Sequence, residues 1–125
     1  MCHCNNLHKI LIVEDNEATQ ILIQEILEYL DVELIITGRA EEAIRLYESH
    51  YKEIVLVLLD LRLPNCNGRD LLKNLRAINP DVVAIAVSAL RLAELATEAK
   101  VAGFNDWIEK PFDLDEFVKM VKRYL

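Results

Sequence analysis

No apolar run in this 125-residue sequence approaches the roughly 18 residues needed to cross a bilayer. The opening MCHCNNLHK also lacks the apolar centre of a signal peptide. Neither a membrane partner nor secretion is expected, so the default compartment is the cytosol. Clusters of Lys and Arg are missing as well: the net charge is −7 and the pI about 4.9. Nucleic-acid backbones are held by such clusters, so direct nucleic-acid binding is not expected and partners should be proteins or small molecules. Cysteine is scarce. Cys2, Cys4 and Cys66 form an odd count without a second close pair, which argues against a disulfide framework and a four-ligand zinc site. Cys2-His3-Cys4 reads as a frayed terminus, with adventitious metal chelation as the alternative.

No low-complexity segment or linker interrupts what remains, and 53% hydrophobic content at this length suits one domain with one core. Short apolar runs at 10–13, 34–37, 54–59, 82–87 and, more weakly, 106–108 alternate with amphipathic stretches. The first four runs are continuous rather than alternating, as in parallel strands buried on both faces, and the fifth reads as an edge. Helical spacing joins Ile23, Ile26, Leu27 and Leu30, then Ala40, Ala43, Ile44 and Tyr47. Leu71, Leu75 and Ile78 mark a third helix, Leu92, Leu95, Ala96 and Ala99 a fourth, and Leu114, Phe117, Val118, Val121 and Leu125 a fifth. Helix starts are expected at Asn16, at Asn67 and at Asp113, the last paired with Glu116 in a capping box. Five βα units with right-handed crossovers make a doubly wound α/β sandwich, its functional crevice at the carboxyl ends of the strands.

That rule selects Glu14 and Asp15 after the first strand, Asp60 after the third, Ser88 after the fourth and Lys110 after the fifth. A carboxylate following a six-residue apolar run is costly unless a cation or hydrogen bonds compensate it. Three acids brought together call for a counter-charge, and their oxygen ligands suit a hard cation such as Mg2+. Lys110 offers a second positive charge and Ser88 a hydroxyl for a phosphoryl oxygen. The set is consistent with nucleophilic attack of Asp60 on phosphorus, giving an acyl phosphate. Each group also has a plainer reading: Glu14 and Asp15 as a helix-start charge pair, Ser88 as a cap, Lys110 as a surface lysine.

The motifs VEDN at 13–16, DLRLPNCNG at 60–68, SA at 88–89 and EKPF at 109–112 appear in this order over 9–125. Together they resemble the receiver domain of response regulators in two-component signal transduction. The resemblance implies a flavodoxin-like three-layer sandwich with parallel strand order 2-1-3-4-5, and a division into an N-terminal extension, 1–8, and a receiver domain, 9–125. It implies that Asp60 accepts phosphate from a sensor histidine kinase or phosphotransfer protein in a Mg2+-dependent phosphorelay, with Mn2+ as a possible substitute. Asp15 and Asp60 would hold the metal directly, together with the main-chain carbonyl of Arg62, and Glu14 mainly through water. Lys110 would pair with the phosphoryl group, Ser88 would move toward it, and Trp107 would swing inward as the switch aromatic. A cis peptide bond is implied before Pro111. The face of the fourth helix, fifth strand and fifth helix would then meet a downstream protein target.

Trp107 is larger than the usual Tyr or Phe, Ser88 replaces the commoner Thr, and Cys66 and Asn67 stand where Met and Asp are common. A phosphatase using a strand-end aspartate would need a second acid two residues on, and Arg62 occupies that position, so a turnover enzyme is not expected. A nucleotide or flavin carrier would need a Gly- or Ser/Thr-rich loop after the first strand, where Glu14-Asp15-Asn16-Glu17 is acidic. The alternative is a pseudo-receiver, a phosphorylation-independent protein-binding module. The sequence ends with the last amphipathic helix, so no output domain is expected in this chain, which would be a stand-alone receiver or a piece of a larger protein.

Overall fold

The structure is a computed structural model and describes residues 8–125; Cys2, His3 and Cys4 lie outside that range. Strand β1 (His8–Val13) leads through α1 (Glu17–Leu27) to β2 (Val32–Thr37), and α2 (Ala40–His50) leads to β3 (Ile54–Asp60). Two short strands, β4 (Arg62–Leu63) and β5 (Cys66–Asn67), pair antiparallel before α3 (Gly68–Ile78). Then follow β6 (Ala84–Ser88), α4 (Leu92–Ala102), β7 (Asp106–Glu109) and α5 (Leu114–Arg123).

The main sheet is parallel throughout, in the order β2-β1-β3-β6-β7. With the small β4–β5 ladder set aside, this is the expected order 2-1-3-4-5 of a doubly wound flavodoxin-like fold. Because strand side chains alternate between faces, β1, β3 and β6 supply two cores. Leu11, Val13, Val57, Leu59 and Ala86 pack under α2, α3 and α4. Ile10, Ile12, Leu58, Ile85 and Val87 pack under α1 and α5, against Ile23, Leu27, Phe117 and Val121. Both faces are therefore covered, which is why these strands read as unbroken apolar runs.

Some local expectations are corrected. Val82 and Val83 precede β6 rather than belong to it, because the Val82 N–H closes a turn onto the Asn79 carbonyl at 3.2 Å. Asp113 is the N-cap of α5, yet its side chain accepts no capping hydrogen bond, so the capping box with Glu116 does not form. Asn16 caps α1 by accepting from the Thr19 N–H, and Asn67 caps α3 by accepting from the Arg69 N–H. Leu92 and Leu114, the first residues of α4 and α5, are 57% and 51% exposed rather than core. The β4–β5 ladder escapes pattern reading because two-residue strands carry no periodicity.

Candidate functional site

Register brings the strand ends together. Val13 lies beside Leu59 and Asp60 beside Val87, so Glu14 and Asp60 emerge next to one another at the same edge of the sheet. Ser88 is paired with Glu109 on the far side, and its carbonyl accepts from the Lys110 N–H at 2.7 Å. Glu14, Asp15, Asp60, Ser88 and Lys110, all selected from sequence, therefore line one cavity of about 400 Å3.

Within it, Glu14, Asp60 and Ser88 are buried at 2%, 7% and 1% exposure, whereas Asp15 is exposed. Lys110 Nζ donates to Glu14 Oε1 at 2.6 Å and to Asp60 Oδ2 at 3.1 Å. Asp60 Oδ1 accepts the Arg62 N–H at 2.9 Å, and Glu14 Oε2 accepts the Asn16 N–H at 3.0 Å. Each buried carboxylate thus has a cation on one oxygen and a backbone donor on the other, the compensation that burial demands. Burial works to lower the pKa of Lys110, but the hydrogen bond to Glu14 and the charge of Asp60 outweigh it, and the value lies above the ordinary 10.5. Lys110 is therefore not the surface lysine of the plainer reading. Ser88 Oγ accepts the Leu90 N–H at 3.3 Å, a local turn contact rather than a helix cap, since α4 begins after Arg91.

Carboxylate oxygens of Glu14, Asp15 and Asp60 lie within 4.8 Å of one another. An exposed acid beside two buried ones, all hard oxygen donors, with Lys110 reaching only Glu14 and Asp60, is a donor set that fits Mg2+.

The Lys110–Pro111 peptide bond is cis, as the resemblance implied. Trp107 is half-buried; it packs against the core under α4 and lines a separate cavity with Leu92, Phe112 and Met120. Burial, reinforced by Asp70, pushes the Cys66 thiol up, so this cysteine is a poor nucleophile.

Three contributions were not singled out from sequence. Gly68 lets the chain double back on the end of β3: its N–H donates to the Leu61 carbonyl at 2.9 Å, and a Cβ there would stand 2.6 Å from the Asp60 carbonyl oxygen. Gly38 makes a similar approach, with a Cβ 3.1 Å from Asp15 Cα. Arg62 extends its side chain to Glu98 on α4, with Nη2 at 3.0 Å from Oε2. The Asn67-Gly68 pair was a turn signal for the first of these; nothing local signals the last.

A family model described as the response regulator receiver domain matches residues 10–122. Sporulation initiation phosphotransferase F of Bacillus subtilis (strain 168) is 30% identical over 117 residues, which cover 94% of this chain and 93% of that protein. The DNA-binding transcriptional regulator NtrC of Azospirillum brasilense is 32% identical over 116 residues, but the match spans 93% of this chain and only 24% of that protein. Among solved structures, the receiver domain of a sensor histidine kinase from Pseudomonas aeruginosa PAO1 superposes with a TM-score of 0.83 at 29% identity, covering 94% of this chain and 97% of that one. That structure has a magnesium ion coordinated in its active-site cleft.

Proposed function

The chain belongs to the response regulator receiver domain family, and from that premise we propose that Asp60 is its phospho-acceptor, served by Lys110, Ser88 and the acid pair Glu14 and Asp15. The observation that carries this reading is the convergence of a buried strand-end carboxylate with a lysine, a hydroxyl and two further acids in one cavity open to solvent. An oxygen of the Asp60 carboxylate forms the new bond to phosphorus as the bond from phosphorus to the donor's leaving group breaks. Because the phosphoryl group carries most of its charge on its outer oxygens, positioned cations and donors supply the catalysis.

Lys110 holds Asp60 in place beforehand and turns to the phosphoryl oxygens afterwards. Ser88, which lines the same cavity, donates its hydroxyl to them. Mg2+, when bound, would neutralise charge on the phosphoryl group; Asp15, Asp60 and the main-chain carbonyl of Arg62 would hold it directly and Glu14 mainly through water. The donor is a sensor histidine kinase or phosphotransfer protein, the compartment the cytoplasm, and the receiver unit runs over 9–125 after the extension 1–8. The protein assists its own phosphorylation and dephosphorylation but is not a turnover enzyme. Trp107, on the α4, β7 and α5 face, reports or transmits the change to a downstream protein. Every group that the chemistry requires is present and converged, and no feature of the site favours phosphorylation-independent binding.

Tryptophan fluorescence tests this reading, since Trp107 is the only tryptophan. A small acyl phosphate with Mg2+ should change the emission of the parent, and chelation of the metal beforehand should prevent the change. An identical response from Asp60→Asn would refute the assignment.

A further inference from the structure

Arg62 reaches in two directions. Its N–H donates to Asp60 Oδ1, while its Nη2 donates to both carboxylate oxygens of Glu98, at 3.3 Å and 3.0 Å. Glu98 lies on α4, whose approach from Ser88 is only three residues long. Arg62 and Lys110 are the cationic residues lining the strand-end cavity. Lys110 is committed to two buried carboxylates. The guanidinium of Arg62 is held by an exposed one, the two side chains of the pair being 53% and 39% accessible. Ion pairs of that kind part readily.

We infer that Glu98 is a positioning residue for the chemistry at Asp60: by holding Arg62 toward α4 it withholds a guanidinium from the phosphoryl group, so that phosphorylation and the Arg62–Glu98 pair compete for one cation. The inference rests on Asp60 being the acceptor. A phosphoryl group two residues away presents three oxygens and up to two negative charges, which match the planar fork of arginine better than a single solvated carboxylate does. Linkage makes the competition reciprocal. Whatever loosens the pair strengthens phosphoryl binding, and phosphoryl binding releases α4 from the acceptor loop. Glu98 would thereby set both the ease of phosphorylation and part of the message that reaches α4.

Beryllofluoride, a non-covalent mimic of the phosphoryl group, tests this in the presence of Mg2+, with the bound fraction read by 19F NMR. Glu98→Gln should lower the apparent dissociation constant roughly two- to fivefold, the range that an exposed pair supplies, and the gain should shrink as salt is raised. Glu94→Gln, one turn away on the same surface patch, should leave it unchanged, which separates the pair from general charge. With Arg62→Met already in place, Glu98→Gln should do nothing further. Parent-like affinity in Glu98→Gln, an equal gain in Glu94→Gln, or a gain that survives Arg62→Met would each overturn the inference. Failure of the parent to bind beryllofluoride in an Asp60-dependent manner is a different result, and it would overturn the acceptor assignment itself.

Discussion

Lys110 stands between two nearly buried carboxylates, and its removal leaves Glu14 and Asp60 side by side without a counter-charge. Lys110→Met should therefore cost about 3 kcal/mol of stability in metal-free buffer at neutral pH, read by urea unfolding, because breaking a buried pair strands its partners. The pH dependence follows from the raised pKa. A lysine held above its ordinary 10.5 contributes stability that is fully present below that value and fades as pH rises through the folded value. The gap between parent and Lys110→Met should thus be constant near neutrality and close only in strongly alkaline solution. Gly68 is constrained by space rather than charge. A Cβ at Gly68 would lie 2.6 Å from the Asp60 carbonyl oxygen and 2.8 Å from Leu61 Cα, both backbone atoms that have little room to yield. Gly68→Ala should lose about 1–3 kcal/mol, the usual cost of forced overpacking, and, with Asp60 as the proposed acceptor, should slow phosphorylation by shifting the segment that carries Asp60.

Among the elements, what the sequence revealed depended on the kind of signal. Strands β1, β3 and β6 are buried on both faces and declare themselves as apolar runs, and their ends located Glu14, Asp60 and Ser88 without further information. The Arg62–Glu98 pair was not legible, because its partners are 36 residues apart in sequence and meet only through the tertiary fold. Leu92 and Leu114 obey helical periodicity but are the first residues of their helices and remain exposed. Helix caps divide in the same way: residue type identified Asn16, Asn67 and Asp113, but not which side chains bond. Asn16→Ala should cost about 1 kcal/mol, since the Thr19 N–H loses its acceptor at 2.9 Å. Asp113→Ala should cost clearly less, because no capping bond is there to lose. Denaturant midpoints of the two variants, compared with the parent, check the difference.

Taken whole, the molecule carries a net charge of −7 and gathers three of its acids at one point. A divalent cation that binds the folded chain there stabilises it by mass action, by about 2.7 kcal/mol at a concentration 100 times its dissociation constant. Mg2+ should accordingly raise the melting temperature of the parent, and Asp15→Asn should remove most of that rise while leaving the metal-free melting temperature near the parent's, since Asp15 is exposed. No helix among the described residues is long and apolar enough to cross a membrane. The fold brings the carboxyl ends of its strands to one edge, and the chemistry assembled there depends on that parallel order as much as on any one residue. Intact-mass spectrometry after incubation with a small acyl phosphate and Mg2+ tests the central claim most directly. A single phosphoryl adduct on the parent, absent from Asp60→Asn, is the predicted result; no adduct on the parent, or an equal one on Asp60→Asn, would contradict it.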